Sequence, residues 1–120
     1  ILGDPTHLQT LFLNLITNAL DAMPQGGRLI ISTQLQLTSA TSGENRRWVE
    51  ISIADTGIGI TEESKKRIFD PFFTTKEKGT GLGLAVSYSI IKKLNGSLSV
   101  ESEPNKGSRF IITLPMNGAR

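Results

Sequence analysis

Two glycine-rich segments interrupt the regular hydrophobic patterns of this 120-residue chain: residues 55–60 (DTGIGI) and residues 79–84 (GTGLGL). Glycine clusters break helices and strands because glycine adopts backbone conformations that other residues avoid. Elsewhere the apolar residues recur at helical or strand spacing. The chain is therefore expected to fold as short helices and strands, with the two glycine-rich segments in the connections between them.

The first patterned segment predicts an amphipathic helix. Asp4 and Pro5 form a helix start, with a carboxylate at the cap and proline in the first turn. Residues 24–27 (PQGG) end the helix. Its apolar stripe consists of Leu8, Phe12, Leu15, Ile16, Ala19 and Met23. The opposite face carries His7, Thr10, Asn14, Asn18 and Asp21.

The rest of the chain predicts two pairs of strands separated by two helices. The strands are expected over residues 28–38, 48–54, 98–103 and 108–114, and a short helix over 61–69. A longer helix begins at Gly81 or Leu82 and ends at Gly96, the expected left-handed stop. Its predicted core-facing residues are Leu84, Ala85, Tyr88, Ile91 and Leu94.

These elements predict an α+β fold, a two-layer α/β sandwich. Three helices are expected to cover one face of a mixed, mostly antiparallel sheet. Residues 1–115 would form a single domain and residues 116–120 a frayed tail.

Composition excludes several classes of protein. The 38% hydrophobic and 20% charged content is typical of a soluble globular domain, and no apolar run approaches the ~20 residues of a membrane span. The chain has no cysteine, which excludes disulfides and thiolate metal sites. A net charge of +2 from scattered basic residues does not indicate nucleic-acid binding. Because the sequence starts at Ile1 without a methionine, we expect an excised domain of a longer protein.

Asp55 is a candidate for reading the edge of a base. It ends a predicted strand and enters a turn in which Gly57 and Gly59 carry no side chains. Its carboxylate can accept the exocyclic amine of adenine, and Gly59 would let the ring approach the backbone. Guanine would place a carbonyl there and be repelled. The alternative is a turn that simply closes the strand.

Asn18 is a candidate metal ligand on the polar face of the first helix, with Asn14 one turn before it and Asp21 one turn after it. Magnesium needs only one or two protein oxygens when phosphates and water supply the remaining ligands. The alternative is a solvated helix face. Two asparagines argue modestly against that alternative, because asparagine forms helices less readily than lysine or glutamate.

The second glycine segment is a candidate phosphate site. The amides of Gly79, Gly81 and Gly83 can point at phosphate oxygens with a helix dipole behind them, and Lys76 can add positive charge. Loop flexibility explains the glycines equally well. Phe69, together with two further phenylalanines at positions 72 and 73, is expected to anchor the root of the intervening loop as a hinge.

Taken in order, these motifs resemble the ATP-binding catalytic domain of sensor histidine kinases, in the superfamily of the gyrase, mismatch-repair and heat-shock-chaperone ATPases (a Bergerat-type fold). Residues 14–22 resemble the N box, 55–60 and 79–84 the two glycine boxes, and 69–73 the F box. Residues 107–110 resemble the final glycine-containing strand. Residues 74–76 (TTK) resemble the subgroup related to nitrogen-regulation sensors, whose lid is short.

The resemblance implies roles for individual residues. Asn18 would bind Mg²⁺, and Asp55 would read adenine with the Ser108 hydroxyl nearby. Asn14, Asn18 and Lys76 would take part in catalysis. The implied ATP-binding residues are Asn18, Asp21, Asp55, Gly57, Gly59, Ile60, Phe69, Thr74, Thr75, Lys76, Gly79, Thr80, Gly81, Leu82, Gly83, Leu84 and Ser108.

Three positions distinguish this chain within the superfamily. Hydrolysing members carry a glutamate one helical turn before the metal asparagine, whereas this chain has Asn14, and an amide is no general base. Many histidine kinases carry a lysine and an aromatic residue at the places of Asp21 and Ala22, so the contacts of that group are not carried over. Asn14 therefore favours transfer to a histidine over autonomous hydrolysis.

The resemblance also implies partners. The acceptor histidine would belong to a dimerisation domain of the same parent protein, and the phosphate would pass to the receiver domain of a response regulator. The fragment is expected to be monomeric and cytoplasmic, without contacting nucleic acid or membrane, whether its parent is membrane-anchored or soluble. Three alternatives stay open: a chaperone- or topoisomerase-like ATPase, a non-catalytic nucleotide sensor, and an interaction domain whose glycines are only turns.

Overall fold

The structure is a computed structural model that describes residues 4–39, 45–70 and 83–116. In these ranges it contains three helices and four strands. The helices are α1 (Pro5–Asp21), α2 (Glu62–Lys65) and α3 (Gly83–Lys93). The strands are β1 (Leu29–Ser39), β2 (Asn45–Asp55), β3 (Ser97–Glu103) and β4 (Gly107–Pro115). The element order confirms the predicted α+β architecture.

The four strands form one sheet in the order β1-β2-β4-β3. Each neighbouring pair is antiparallel. The prediction of a mixed sheet is therefore wrong for the described residues. Two hairpin-like pairs, β1–β2 and β3–β4, join through β2 and β4, so no parallel crossover is needed.

Helix α1 begins as its sequence predicts. Asp4 is the N-cap, and its Oδ1 accepts a hydrogen bond from the Thr6 amide at 2.8 Å. Leu15 and Ala19 of the predicted stripe are buried, and Leu8 and Phe12 pack partly against the core. Leu11 is also fully buried, although it was not in the predicted stripe. The buried stripe is thus rotated slightly toward the i, i+4, i+8 row.

Helix α2 is shorter than predicted. Its regular part covers four residues, capped by Thr61, whose Oγ1 accepts from the Ser64 amide at 3.1 Å. The chain then continues in tighter turns, in which the Arg67 amide donates to the Ser64 carbonyl and the Asp70 amide to the Arg67 carbonyl. This segment still buries Ile68 against the core.

Helix α3 meets the core with most of the predicted face but not with Tyr88. Ile91 is buried as expected, and Leu84 and Leu94 pack partly against the core. Tyr88 is wrongly placed in the predicted core: it is 36% exposed and stacks on Phe69, with ring centroids 5.4 Å apart. A tyrosine at this surface position keeps its hydroxyl in water while its ring covers an apolar neighbour.

The end of α3 also differs from the prediction. Asn95, not Gly96, adopts the left-handed conformation, with φ of 62°. The Gly96 amide donates to the Ile91 carbonyl and the Asn95 amide to the Lys92 carbonyl, which is a Schellman ending with asparagine at the turning position. Gly96 is required for another reason, because a Cβ there would lie under 3.0 Å from the Thr113 carbonyl oxygen.

The core lies between the helices and one face of β2, β4 and β3. It includes Ile53, Phe110 and Ile112, each at most 1% exposed. The same sheet face continues onto β1, where Ile31 and Leu35 stay at least half exposed. Only one face of β1 was predicted to be polar, yet both of its faces are largely solvent-exposed, because α1 and α3 pack together over the other strands.

The Met116 amide donates to the Arg47 carbonyl at 3.0 Å, so this residue of the predicted tail is bonded to the sheet. Residues 117–120 lie outside the described ranges. Among the helices that are described, none has the length and apolar character to cross a membrane.

We predict that Ile112→Ala lowers the free energy of unfolding by about 2–5 kcal/mol, because it opens a cavity in the closed part of the core. The matched change Ile31→Ala, on the same sheet face but 50% exposed, should cost under about 1 kcal/mol. Urea denaturation followed by circular dichroism measures both values. Equal losses would contradict the placement of the core.

Candidate functional site

Asp55 is the last residue of β2 and is 6% exposed. Its Oδ1 accepts a hydrogen bond from the Gly57 amide at 2.9 Å, which closes the first turn after the strand. The other carboxylate oxygen has no hydrogen-bond partner in the part of the chain that the structure describes. A buried carboxylate with one oxygen fixed and one available is suited to accept from a ligand.

Ser108 lies beside Asp55 on the neighbouring strand. The two residues are register partners of β2 and β4, and Ser108 is in turn paired with Ser102 of β3. The three polar side chains therefore form a row across the core-facing side of the sheet, hereafter the polar row. Ser108 is 6% exposed, and its Oγ lies 2.9 Å from the Ser102 Oγ.

The first glycine segment is clamped between two parts of the backbone. On one side, the Ile58 amide donates to the Ala22 carbonyl at the end of α1, at 2.9 Å. On the other side, the Asn105 amide in the β3–β4 turn donates to the Ile58 carbonyl at 2.6 Å. The Ile60 amide adds a bond of 2.7 Å to the Ser102 Oγ. The segment is therefore positioned by three separate elements.

The glycines of this segment are needed for these close approaches. A Cβ at Gly57 would lie under 3.0 Å from the Ala22 carbonyl oxygen, and one at Gly59 would lie equally close to the Glu103 carbonyl oxygen. Gly59 also has a φ of +72°, in the left-handed region. In the direction that a side chain would take, both glycines thus meet protein backbone, and the approach of a purine ring to Gly59 stays a prediction.

The end of α1 carries the candidate metal ligand to the same place. The Ala22 amide donates to the Asn18 carbonyl at 3.1 Å, and the Ala22 carbonyl receives the Ile58 amide. Asn18 is half-buried and stands one helical turn before this contact. Asp21 is exposed at the last position of the helix. The helix that carries Asn18 and the strand that ends at Asp55 therefore meet at the same glycine turn, and the shared site of the two side chains stays a prediction.

Asn14 links α1 to the start of α3. Its Nδ2 donates to the Gly83 carbonyl at 3.3 Å, and the Ser87 Oγ donates to the same oxygen at 2.9 Å. The end of the second glycine segment is thus fixed against the N-box helix. Gly83 is exposed although its carbonyl is bonded, and Leu84 packs partly against the core. Both of these predicted ligand residues therefore also have structural contacts.

The two helices also enclose a groove of about 330 Å³. It is lined by His7, Thr10, Ala85, Val86, Ser89, Ile90 and Lys93. Thr10 precedes Asn18 by eight residues, which is about 12 Å along a helix axis. The groove is therefore separate from the polar row and the glycine turn, which hold the groups suited to a nucleotide.

The remaining predicted site residues divide into two groups. Phe69 is half-buried against Tyr88, and Ile60 is half-buried with its amide on Ser102. The loop members lie outside the described residues: Phe72, Phe73, Thr74, Thr75, Lys76, Gly79, Thr80, Gly81 and Leu82. The roles assigned to them stay predictions.

The side chains available at the site determine whether a divalent cation could bind there. The described residues contain no group of three or more histidine or carboxylate side chains that would hold an ion alone. The half-buried Asn18 amide offers a single neutral oxygen, which fits Mg²⁺ when phosphate oxygens and water supply the other ligands. The residues present therefore fit a cation that arrives with a phosphate ligand.

Comparison with known proteins identifies the family. The family described as histidine kinase-, DNA gyrase B- and HSP90-like ATPase matches residues 3–118. The chain belongs to this family. Sporulation kinase E of Bacillus subtilis is 44% identical over 113 residues, 94% of this chain and 14% of that protein. Sensor histidine kinase ZraS of Escherichia coli is 41% identical over 120 residues, 100% of this chain and 24% of that protein.

Solved structures of this ATPase family support the fold. The catalytic domain of histidine kinase ThkA matches with a TM-score of 0.76 and 34% identity, over 94% of this chain and 68% of that one. Full-length ShkA in complex with AMPPNP matches with a TM-score of 0.69 and 29% identity, over 91% of this chain and 21% of that one. These matches confirm the resemblance to histidine kinase catalytic domains. The nitrogen-regulation subgroup stays a prediction.

Ser102 and Ala22 contribute to the site but were missed by the sequence interpretation. Ser102 follows Leu98 and Val100 on the core-facing side of β3, so a polar residue ends an otherwise apolar row. That interruption is the signal that could have found it. Ala22 contributes only its carbonyl, and no side-chain pattern predicts a backbone contact of this kind.

We predict that Gly59→Ala destabilises the chain by about 2–5 kcal/mol, because it adds left-handed strain to a clash with the Glu103 carbonyl. Gly26→Ala is the matched control, since Gly26 has a φ of +89° but no atom within 4 Å of the added Cβ. It should cost only about 1–2 kcal/mol. Thermal and urea denaturation compare the two, and a Gly59 variant no worse than the control would contradict the clamp.

Proposed function

We propose that this domain binds Mg²⁺-ATP and transfers the γ-phosphate to a histidine on a separate dimerisation domain of its parent protein. The observation that supports this most directly is the buried Asp55, which is the register partner of Ser108 and precedes a turn bonded to the end of the helix that carries Asn18. The curated relatives are named as sporulation kinases and sensor histidine kinases, and a structural neighbour was solved with AMPPNP.

At the purine end, Asp55 selects the base by hydrogen bonding. Its free oxygen accepts from the exocyclic amine of adenine, while its other oxygen stays bonded to Gly57. A base with a carbonyl at that position would place an acceptor against the carboxylate, which is also an acceptor, and the hydrogen bond would be lost. Because the carboxylate is buried, the cost of leaving it unpaired makes the discrimination stronger than at an exposed site.

At the phosphate end, Asn18 and the start of α3 act together. The Asn18 amide oxygen would hold Mg²⁺, which when bound would neutralise charge on the phosphate oxygens. The N-terminus of the 11-residue α3 adds its positive dipole end. Lys76 and the glycines and threonines of residues 74–82 complete this end of the site, on the expectation drawn from their sequence alone.

Asn14 supports transfer in preference to hydrolysis. Its amide donates to the Gly83 carbonyl, so the side chain holds the start of α3 and offers no basic group for activating water. A neutral histidine nitrogen needs no such base, since it is itself nucleophilic. That nitrogen forms a bond to the γ-phosphorus while the bond to the β-phosphate oxygen breaks and ADP leaves. Positioning and charge neutralisation account for the rate.

The parent protein provides the partners. The chain spans less than a quarter of the length of the curated relatives described above, so the acceptor domain would lie elsewhere in a longer protein. The phosphohistidine would then donate to an aspartate on a receiver domain. The domain would work in the cytoplasm, where ATP is available.

We predict that Asp55→Asn weakens binding of AMPPNP by about 10–150-fold, because a charged hydrogen bond of ~1.5–3 kcal/mol is lost. Asparagine keeps an oxygen for the Gly57 amide, so the turn should survive. Isothermal titration calorimetry on the 120-residue chain measures the affinity. Asp4→Asn is the control, since it removes an exposed carboxylate but preserves the cap. Equal affinity of Asp55→Asn and wild type would exclude the adenine assignment.

We predict that radiolabel from γ-labelled ATP appears on a purified dimerisation domain of a related sensor kinase only when chain and Mg²⁺ are both present. Asn18→Ala should reduce the rate at least about tenfold, because the metal loses a ligand. Thr17→Ala changes a neighbouring exposed residue and should leave the rate unchanged. ATP binding without any labelled histidine would leave only a nucleotide-sensing role.

A further inference from the structure

We infer that Ser102 is a positioning residue for the purine end of the site, and that it sets the preference for a 6-amino purine through Ser108. This inference rests on the proposed function, since it concerns the same nucleotide site. It starts from the polar row, in which Asp55, Ser108 and Ser102 occupy neighbouring register positions on β2, β4 and β3. Cross-strand neighbours on one sheet face have Cβ atoms about 5 Å apart.

The hydrogen bonds of Ser102 fix the direction of the proton on Ser108. The single hydroxyl proton of Ser102 is donated to the Gly107 carbonyl at 2.9 Å. The Ser102 oxygen accepts from the Ile60 amide at 2.7 Å. Its contact of 2.9 Å with the Ser108 oxygen therefore requires Ser108 to be the donor. All three contacts of Ser102 are then satisfied at once.

The consequence is a site that offers acceptors only. With its proton committed to Ser102, the Ser108 oxygen has only lone pairs left for a ligand. The Asp55 carboxylate beside it is likewise an acceptor, and one of its oxygens is already used by Gly57. A group that contacts both Asp55 and Ser108 directly must therefore donate. An amino group meets this requirement, and a carbonyl oxygen does not.

Ser102 also connects this preference to the glycine turn. It holds the Ile60 amide through its side chain, whereas the other clamp contacts of the turn, at Ile58, are made by backbone. The Lys65 ammonium donates to the Ser102 carbonyl at 3.3 Å, which further fixes the residue. Removal of the hydroxyl therefore frees the Ser108 proton and loosens the turn, while the backbone of β3 stays paired.

The experiment uses the 120-residue chain and two probes that differ at the 6-position: AMPPNP and its inosine counterpart, each with Mg²⁺. Ser102→Ala should weaken AMPPNP binding by roughly 3–10-fold, the value of one hydrogen bond. It should leave the inosine analogue equally or more tightly bound, because the freed Ser108 proton can then donate to the carbonyl. The ratio of the dissociation constant of the inosine analogue to that of AMPPNP should therefore fall by at least about threefold.

Three further variants separate positioning from a structural role. Ser102→Thr keeps the hydroxyl and should restore the wild-type ratio. Ser108→Ala removes the oxygen that Ser102 orients, so it should lower the same ratio, and the double variant with Ser102→Ala should lower it no further. Ser99→Ala changes an exposed serine of the same strand and should leave both affinities unchanged. Ser102→Cys replaces Ser102→Ala if the alanine variant does not fold, since a thiol is only a weak donor and acceptor.

The outcomes are distinct for the two proposals. Equal weakening of both analogues by Ser102→Ala, or no weakening at all, would overturn the role of Ser102. The proposed function would stand in that case if wild type binds AMPPNP and Asp55→Asn binds it more weakly. A wild-type chain that binds neither analogue would overturn the proposed function and this inference with it. A lowered ratio, restored by Ser102→Thr, supports both.

Discussion

The structure depends on one close backbone approach: the turn after β2 is held between the end of α1 and the turn joining β3 to β4. Ala22 and Asn105 bond to opposite sides of Ile58, and the glycines on either side of it lie against carbonyl groups. No side chain fits in these spaces. The turn therefore brings the helical layer and both halves of the sheet together. The candidate groups of the site are positioned relative to this turn.

The site follows from this arrangement because its parts come from distant segments. Asp55 ends one strand, Ser108 begins another, and Asn18 stands one turn before the end of a helix. Each element would place its side chain poorly if its end were free. Fixing three ends to the same turn costs conformational entropy once, during folding, and leaves little to be lost when a ligand binds.

Local patterns predicted the parts of the fold that are decided locally. The start of α1 and the positions of the strands follow from caps and alternation, whereas the nearness of Ser108 to Asp55 was implied only by the family resemblance. The errors concern tertiary contacts between elements. Tyr88 has helical spacing for the core but stacks outside on Phe69. Asn95 takes the left-handed conformation that was expected of Gly96, and Gly96 lies against β4. Ser102 gains its meaning only from the register of β3 with β4, which no local pattern specifies.

The position of β1 at the margin of the described sheet has a consequence for local unfolding. It is hydrogen-bonded to β2 alone and exposes most of its side chains, whereas β4 lies between two strands and carries much of the core. Amide protons of β1 should thus exchange with solvent before those of β4. The polar row of Asp55, Ser108 and Ser102 is joined through β2, β4 and β3. Fraying that starts at β1 would therefore leave the polar row assembled.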